Sequence, residues 1–143
     1  PLGAISPKPD HWPDIRRAAE VAKMSGSLEI GQGAVSCASL ILAVEAQEGT
    51  DRMLARVADL PVEIRGTPEA RRGVLVKRPK PQQERRIDLP TIGVTTVQGA
   101  AKAGLAGIAV EAGAALVVDR DNVANAANEL GIFIYGFTAA EVA

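Results

Sequence analysis

The first periodic signal along the chain lies at Ile15, Ala18, Ala19 and Ala22, spaced i, i+3, i+4, i+7. That spacing puts the four on one face of an amphipathic helix, with Pro13 near its first turn, where a missing N–H costs little. Leu28-Glu-Ile-Gly-Gln-Gly33 follows as a glycine turn and leads into Ala34–Cys37, a candidate short strand. Ile41-Leu-Ala-Val44 is a continuous apolar run and predicts a strand buried on both faces. A helix is predicted from Thr50, with Met53, Leu54 and Val57 turned inward, and Val74-Leu-Val76 predicts another strand. Gly93 opens a helix through Lys102 with Val97, Ala100 and Ala101 as its apolar face, and Gly104 stops it. Ile108-Ala-Val110 and Leu116-Val-Val118 read as strands. Val123, Ala126, Ala127 and Leu130 form a helical stripe closed by Gly131, and Ile132 to Phe137 is the last strand.

Strands alternating with helices predict an α/β layered fold, its sheet mixed or partly parallel and packed by short amphipathic helices. The opening residues 1–13 hold four prolines and read as a linker or trimmed boundary, leaving residues 14–143 as one domain. A chain of 143 residues is the size of a single core. Aromatics make up only 3%, so that core must be aliphatic. A formal net charge of −1 removes any whole-chain field toward nucleic acid or anionic lipid. One cysteine, Cys37, excludes an internal disulfide framework, suits a reducing cytoplasm, and reads as a small buried hydrophobe. His11, the lone histidine, reads as a surface loop residue. With so few nitrogen and sulfur donors, any metal is expected to take oxygen ligands, which favours magnesium or manganese.

Three predicted strands end in a charge: Glu45, Lys77 and Glu111. Ligands of open α/β sheets bind outside the carboxyl ends of strands, so these ends are the first place to seek chemistry. Beside the first, Glu45, Glu48 and Asp51 crowd into seven residues. Thr50 as a helix cap and Asp51 at the positive helix end account for two of these residues without a ligand. The remaining acids point to a divalent cation held by one or two carboxylates and water. Near the second, Arg71, Arg72, Lys77, Arg78, Lys80, Arg85 and Arg86 stand against Glu84 alone, and prolines hold the stretch extended. That asymmetry suits a phosphorylated small molecule; with few aromatics to stack bases, nucleic acid is a poor fit. Asp88-Leu-Pro-Thr91-Ile-Gly93 then precedes a helix whose first N–H groups can receive phosphate, with Asp88 placed to hold a metal or orient water. Gly31-Gln32-Gly33 is too short for a dinucleotide fingerprint.

Ile30-Gly-Gln32, Val44-Glu45-Ala46, Glu48-Gly-Thr-Asp51, Gly73-Val-Leu-Val-Lys77, Pro79-Lys-Pro81 and Asp88-Leu-Pro-Thr-Ile-Gly93 occur in that order. The series resembles the C-terminal domain of the LpxI family of UDP-2,3-diacylglucosamine pyrophosphatases of bacterial lipid A biosynthesis, from about Trp12 to Phe137. Glu29 and Glu84 stand where that pattern usually has Asp. The resemblance implies magnesium-dependent hydrolysis of the substrate's pyrophosphate to lipid X and UMP. It further implies a separate N-terminal domain, a UDP-linked glycolipid as substrate, and a cytoplasmic enzyme in peripheral contact with the inner membrane. On this reading Asp88 is the essential carboxylate, and Glu45, Glu48 and Asp51 complete the metal shell. Lys77, Lys80 and Arg86 hold phosphates, while Thr50, Thr91 and Gln32 hydrogen-bond sugar or phosphate. The alternatives are a non-catalytic phospho-ligand binding or regulatory module, which needs the cations but not the acids, and a subunit-interaction domain.

Overall fold

The computed structural model describes residues 1–80 and 89–143; Glu84, Arg86 and Asp88 fall outside the described residues. The chain runs α1 (Trp12–Ser27), β1 (Gly33–Cys37), β2 (Leu40–Val44), α2 (Thr50–Ala58), β3 (Val74–Lys77), β4 (Thr91–Ile92) and α3 (Val94–Lys102). It continues through β5 (Gly107–Glu111), β6 (Leu116–Val117), α4 (Arg120–Leu130) and β7 (Phe133–Phe137). Five strands form one mixed sheet in the order β2-β1-β3-β5-β7. β3, β5 and β7 are parallel neighbours, whereas β1 is antiparallel to both β2 and β3. β4 and β6 make a separate parallel pair. Among the described residues, no helix is long and apolar enough to cross a membrane.

The period of two along each strand separates two cores. On one face Val74, Val76, Ala34 and Ala109 meet Ile15, Ala18, Ala19 and Ala22 of α1, the small alanines letting the helix lie close. On the other, Val35, Leu75 and Ile108 meet Leu54, Val97 and Val123 from α2, α3 and α4. Among the described residues the result is a three-layer α/β/α arrangement, with α1 below the sheet and α2, α3 and α4 above it.

Three expectations need correction. Ile41–Val44 is not a strand buried on both faces, because β2 is an edge strand: Leu40 is 56% exposed and only Ala43 is buried. Its apolar run arises because α1 and α2 both pack against it, which pattern alone cannot tell from a central position. His11 is not a surface loop residue. It closes a 3-10 turn (Pro9–His11) where its Nδ1 accepts the Lys8 N–H at 3.0 Å, and its ring lies 5.2 Å from that of Phe133. That burial lowers its pKa. Thr50 is not the cap of α2, whose N-cap is Gly49 at φ +88°.

The opening residues lie along the domain, the Leu2 N–H donating to the Ile134 carbonyl at 2.8 Å. Glu29 adopts φ +57° just past α1, a left-handed conformation that the shorter Asp tolerates better than Glu.

The β1–β2 turn is only Ala38-Ser39, both at positive φ (51° and 66°), with none of the Asn or Gly that usually permits this. Asp14, in the first turn of α1 and 7% exposed, holds it. Its carboxylate accepts the N–H groups of Ala38 (3.1 Å) and Ser39 (2.7 Å) and the hydroxyl of Ser36 (2.8 Å).

Candidate active site

Because β1 is antiparallel to both neighbours, the ends of β2 and β3 and the start of β1 share one edge of the sheet. The Glu45 N–H donates to the Gly33 carbonyl at 2.8 Å, and the Arg78 N–H donates to the Gln32 carbonyl at 2.9 Å. Gln32-Gly33 is thereby threaded between Glu45 and the end of β3. The backbones approach so closely that a Cβ on Gly31 would sit 2.1 Å from the Glu45 carbonyl oxygen. Close approach, not phosphate cradling, explains this glycine.

Glu45 is 8% exposed. One carboxylate oxygen accepts the Gln32 N–H at 3.4 Å, and the other accepts the Thr50 hydroxyl in a short bond. Lys77, 6% exposed, donates from Nζ to the Thr91 carbonyl at 3.4 Å. Burial lowers its pKa, and the nearby charges of Glu45 and Asp51 act against that shift. Gln32, Glu45, Thr50, Asp51, Lys77 and Thr91 therefore come together.

In front of them opens a cleft of about 580 Å³ lined by Glu48, Gly49, Thr50, Asp51, Thr91 and Gly93, among others. Gly49 and Gly93 are the N-caps of α2 and α3, so both helices start in this cleft. Their first N–H groups lack helical partners and carry the positive end of the helix dipole. Thr95, in the first turn of α3, also lines the cleft, a position the sequence reading missed. Lys77 and Glu45 stand one contact behind this lining, through Thr91 and Thr50.

The sequence pattern of the LpxI C-terminal domain matches residues 1–135. The chain belongs to the LpxI C-terminal domain family. A Caulobacter vibrioides protein (strain ATCC 19089 / CIP 103742 / CB 15) named UDP-2,3-diacylglucosamine pyrophosphatase LpxI is 63% identical over 135 residues. The match covers 94% of this chain and 48% of that relative, so the chain spans about half the relative's length.

The fold does not gather all the residues the sequence suggests. Glu48 reaches the cleft rim, but its carboxylate is forked by Arg56, with Nε–Oε2 at 2.9 Å, and that bond pushes its pKa down. Glu111 pairs with Arg78 at 2.9 Å, and the same guanidinium lies 5.4 Å from the Phe137 ring centroid. The run of cations is split by β3, about 13 Å long at four residues. Arg71 and Arg72 precede the strand at the opposite edge, where they donate to the carbonyls of Ala101 (2.8 Å) and Arg65 (2.9 Å). Lys80 lies three residues past the end of β3 and is half-buried.

Among the described residues no three Asp, Glu, His or Cys side chains converge on a metal position. Asp51 lies in the cleft lining and Glu45 one contact behind it, two carboxylates that would suit an ion keeping most of its shell as water and phosphate oxygen. The Glu48 carboxylate, at the rim of the same cleft, is engaged by Arg56.

Proposed function

We propose that this domain receives the diphosphate of a UDP-2,3-diacylglucosamine and serves its hydrolysis, in which water cleaves the P–O–P bond to give 2,3-diacylglucosamine 1-phosphate and UMP. The observation that carries the reading is the convergence of two helix N-termini on one cleft, with the buried Lys77 ammonium behind it. Resemblance to a relative bearing that enzyme's name, at 63% identity, supplies the substrate.

Attack on a diphosphate concentrates negative charge on the phosphate oxygens. N–H groups at the starts of α2 and α3 offer fixed donors to those oxygens, needing no reorganisation as charge develops. Lys77 contributes a full positive charge from a poorly solvated position, where it acts more strongly than at the surface. Thr91, Thr95 and Gln32 offer further hydrogen bonds to phosphate or sugar. Glu45 holds the Thr50 hydroxyl, and its nearby charge favours the protonated form of Lys77. Asp88 stands three positions before Thr91 in the sequence; resemblance gives it the role of orienting the attacking water or holding a metal. Magnesium, when bound by Asp51, Glu45 and Asp88, would withdraw charge from the phosphates. The rest of the full-length protein and the cytoplasmic face of the inner membrane are the partners this substrate requires.

The full-length protein should release UMP from UDP-2,3-diacylglucosamine with magnesium and lose about a hundredfold in rate on chelation, followed by chromatography of the nucleotide. Binding of the substrate without UMP release in either condition would leave a phospho-ligand module instead.

A further inference from the structure

The segment between β2 and α2 carries Glu45, one contact behind the cleft lining, and Gly49, which is part of that lining, and one side chain ties both its ends. Arg56, in the second turn of α2, donates Nε to Glu48 Oε2 at 2.9 Å and Nη2 to Glu48 Oε1 at 2.5 Å. The same Nη2 lies 3.4 Å from the carbonyl of Val44, the last residue of β2. A planar guanidinium can satisfy a carboxylate fork and a carbonyl in one plane; an ammonium cannot. The pair is too open to matter much to global stability, Arg56 being 51% and Glu48 26% exposed at the side chain. Its geometric effect is local. The strap fixes Glu48 beside Gly49, whose positive φ of 88° sets the direction in which α2 starts.

We infer that Arg56 is a positioning residue, which through Glu48 and the Val44 carbonyl holds the Glu45–Gly49 segment in register with the cleft, and that Glu48 serves this strap rather than a metal. The inference rests on the hydrolase reading above for its kinetic consequences, but its structural consequence stands apart from it.

The test uses the full-length enzyme with Arg56→Leu, Arg56→Lys and Glu48→Gln. Arg56→Leu should lower kcat/KM about tenfold, since small misplacements near reacting groups are costly. Arg56→Lys should fail to restore the rate, and the melting temperature should move little. Glu48→Gln, which keeps one acceptor oxygen, should give a smaller loss with the magnesium half-saturation point unchanged. Amide exchange at Gly49–Arg52 should speed up several-fold in Arg56→Leu, whether or not the enzyme turns over. Unchanged exchange at those amides would overturn the strap. A tenfold rise in the magnesium requirement of Glu48→Gln, with Arg56→Leu at full activity, would overturn it in favour of a metal ligand. Absence of hydrolysis in the wild type would instead defeat the functional reading and leave the exchange result to decide the strap.

Discussion

Lys77→Met in the full-length enzyme is expected to lower kcat/KM for the UDP-linked glycolipid by two to three orders of magnitude, roughly the effect of losing one preorganised charge donor. The fold should survive. Methionine fills nearly the same volume, and the group removed is a 6%-exposed ammonium whose charged form burial already disfavours. Glu45 keeps the Thr50 hydroxyl and the Gln32 N–H as partners when Lys77 is gone. The pH profile gives an independent sign. Because burial lowers the Lys77 pKa, the charged form is lost as pH rises through a value below the ordinary lysine range. The wild-type basic limb should come there, and the Met variant should lack it. Steady-state kinetics with circular dichroism checks both parts; near-normal kcat/KM in a folded variant would remove Lys77 from the site.

The largest effect on stability is expected at Asp14. Asp14→Ala deletes a carboxylate that accepts three hydrogen bonds in a 7%-exposed position. Bonds to charged groups contribute about 1.5–3 kcal/mol each but are not additive, and they hold two residues whose positive φ is itself unfavourable. A loss of about 3–4 kcal/mol follows, or roughly 10 °C in melting temperature for a domain of this size. Adding Ala38→Asn and Ser39→Gly should return about 1–2 kcal/mol by supplying the residues such a turn favours. Urea unfolding of the wild type and both variants measures this, and a loss below about 1 kcal/mol for Asp14→Ala would mean the clamp is not what holds the hairpin.

The helical stripes were legible because an aliphatic core leaves little else to set the pattern: Ile15, Ala18, Ala19 and Ala22 all lie buried beneath the sheet. The cleft was legible too, since Glu45 and Lys77 each follow an apolar run at a strand's carboxyl end. What the sequence hid was partnership across the fold. Arg71 and Lys77 look like one basic stretch until β3 carries them to opposite edges of the sheet. Glu48 reads as one more acid of the cluster, and only helical winding shows that Arg56 reaches back to it. Asp14 reads as an ordinary acid at a helix start, and Ala38-Ser39 has no turn signature, so only the fold reveals that each completes the other. Asp88 and Arg86 fall outside the described residues.

The most direct measurement is the structure of the full-length protein with a non-hydrolysable UDP-diacylglucosamine analogue and magnesium. The diphosphate is expected between the first turns of α2 and α3, its oxygens within hydrogen-bond reach of the Thr50–Asp51 or Thr95 amides, on the side of Thr91 that faces Lys77. A diphosphate bound instead at the Arg71–Arg72 edge, or away from both helix starts, would contradict the account.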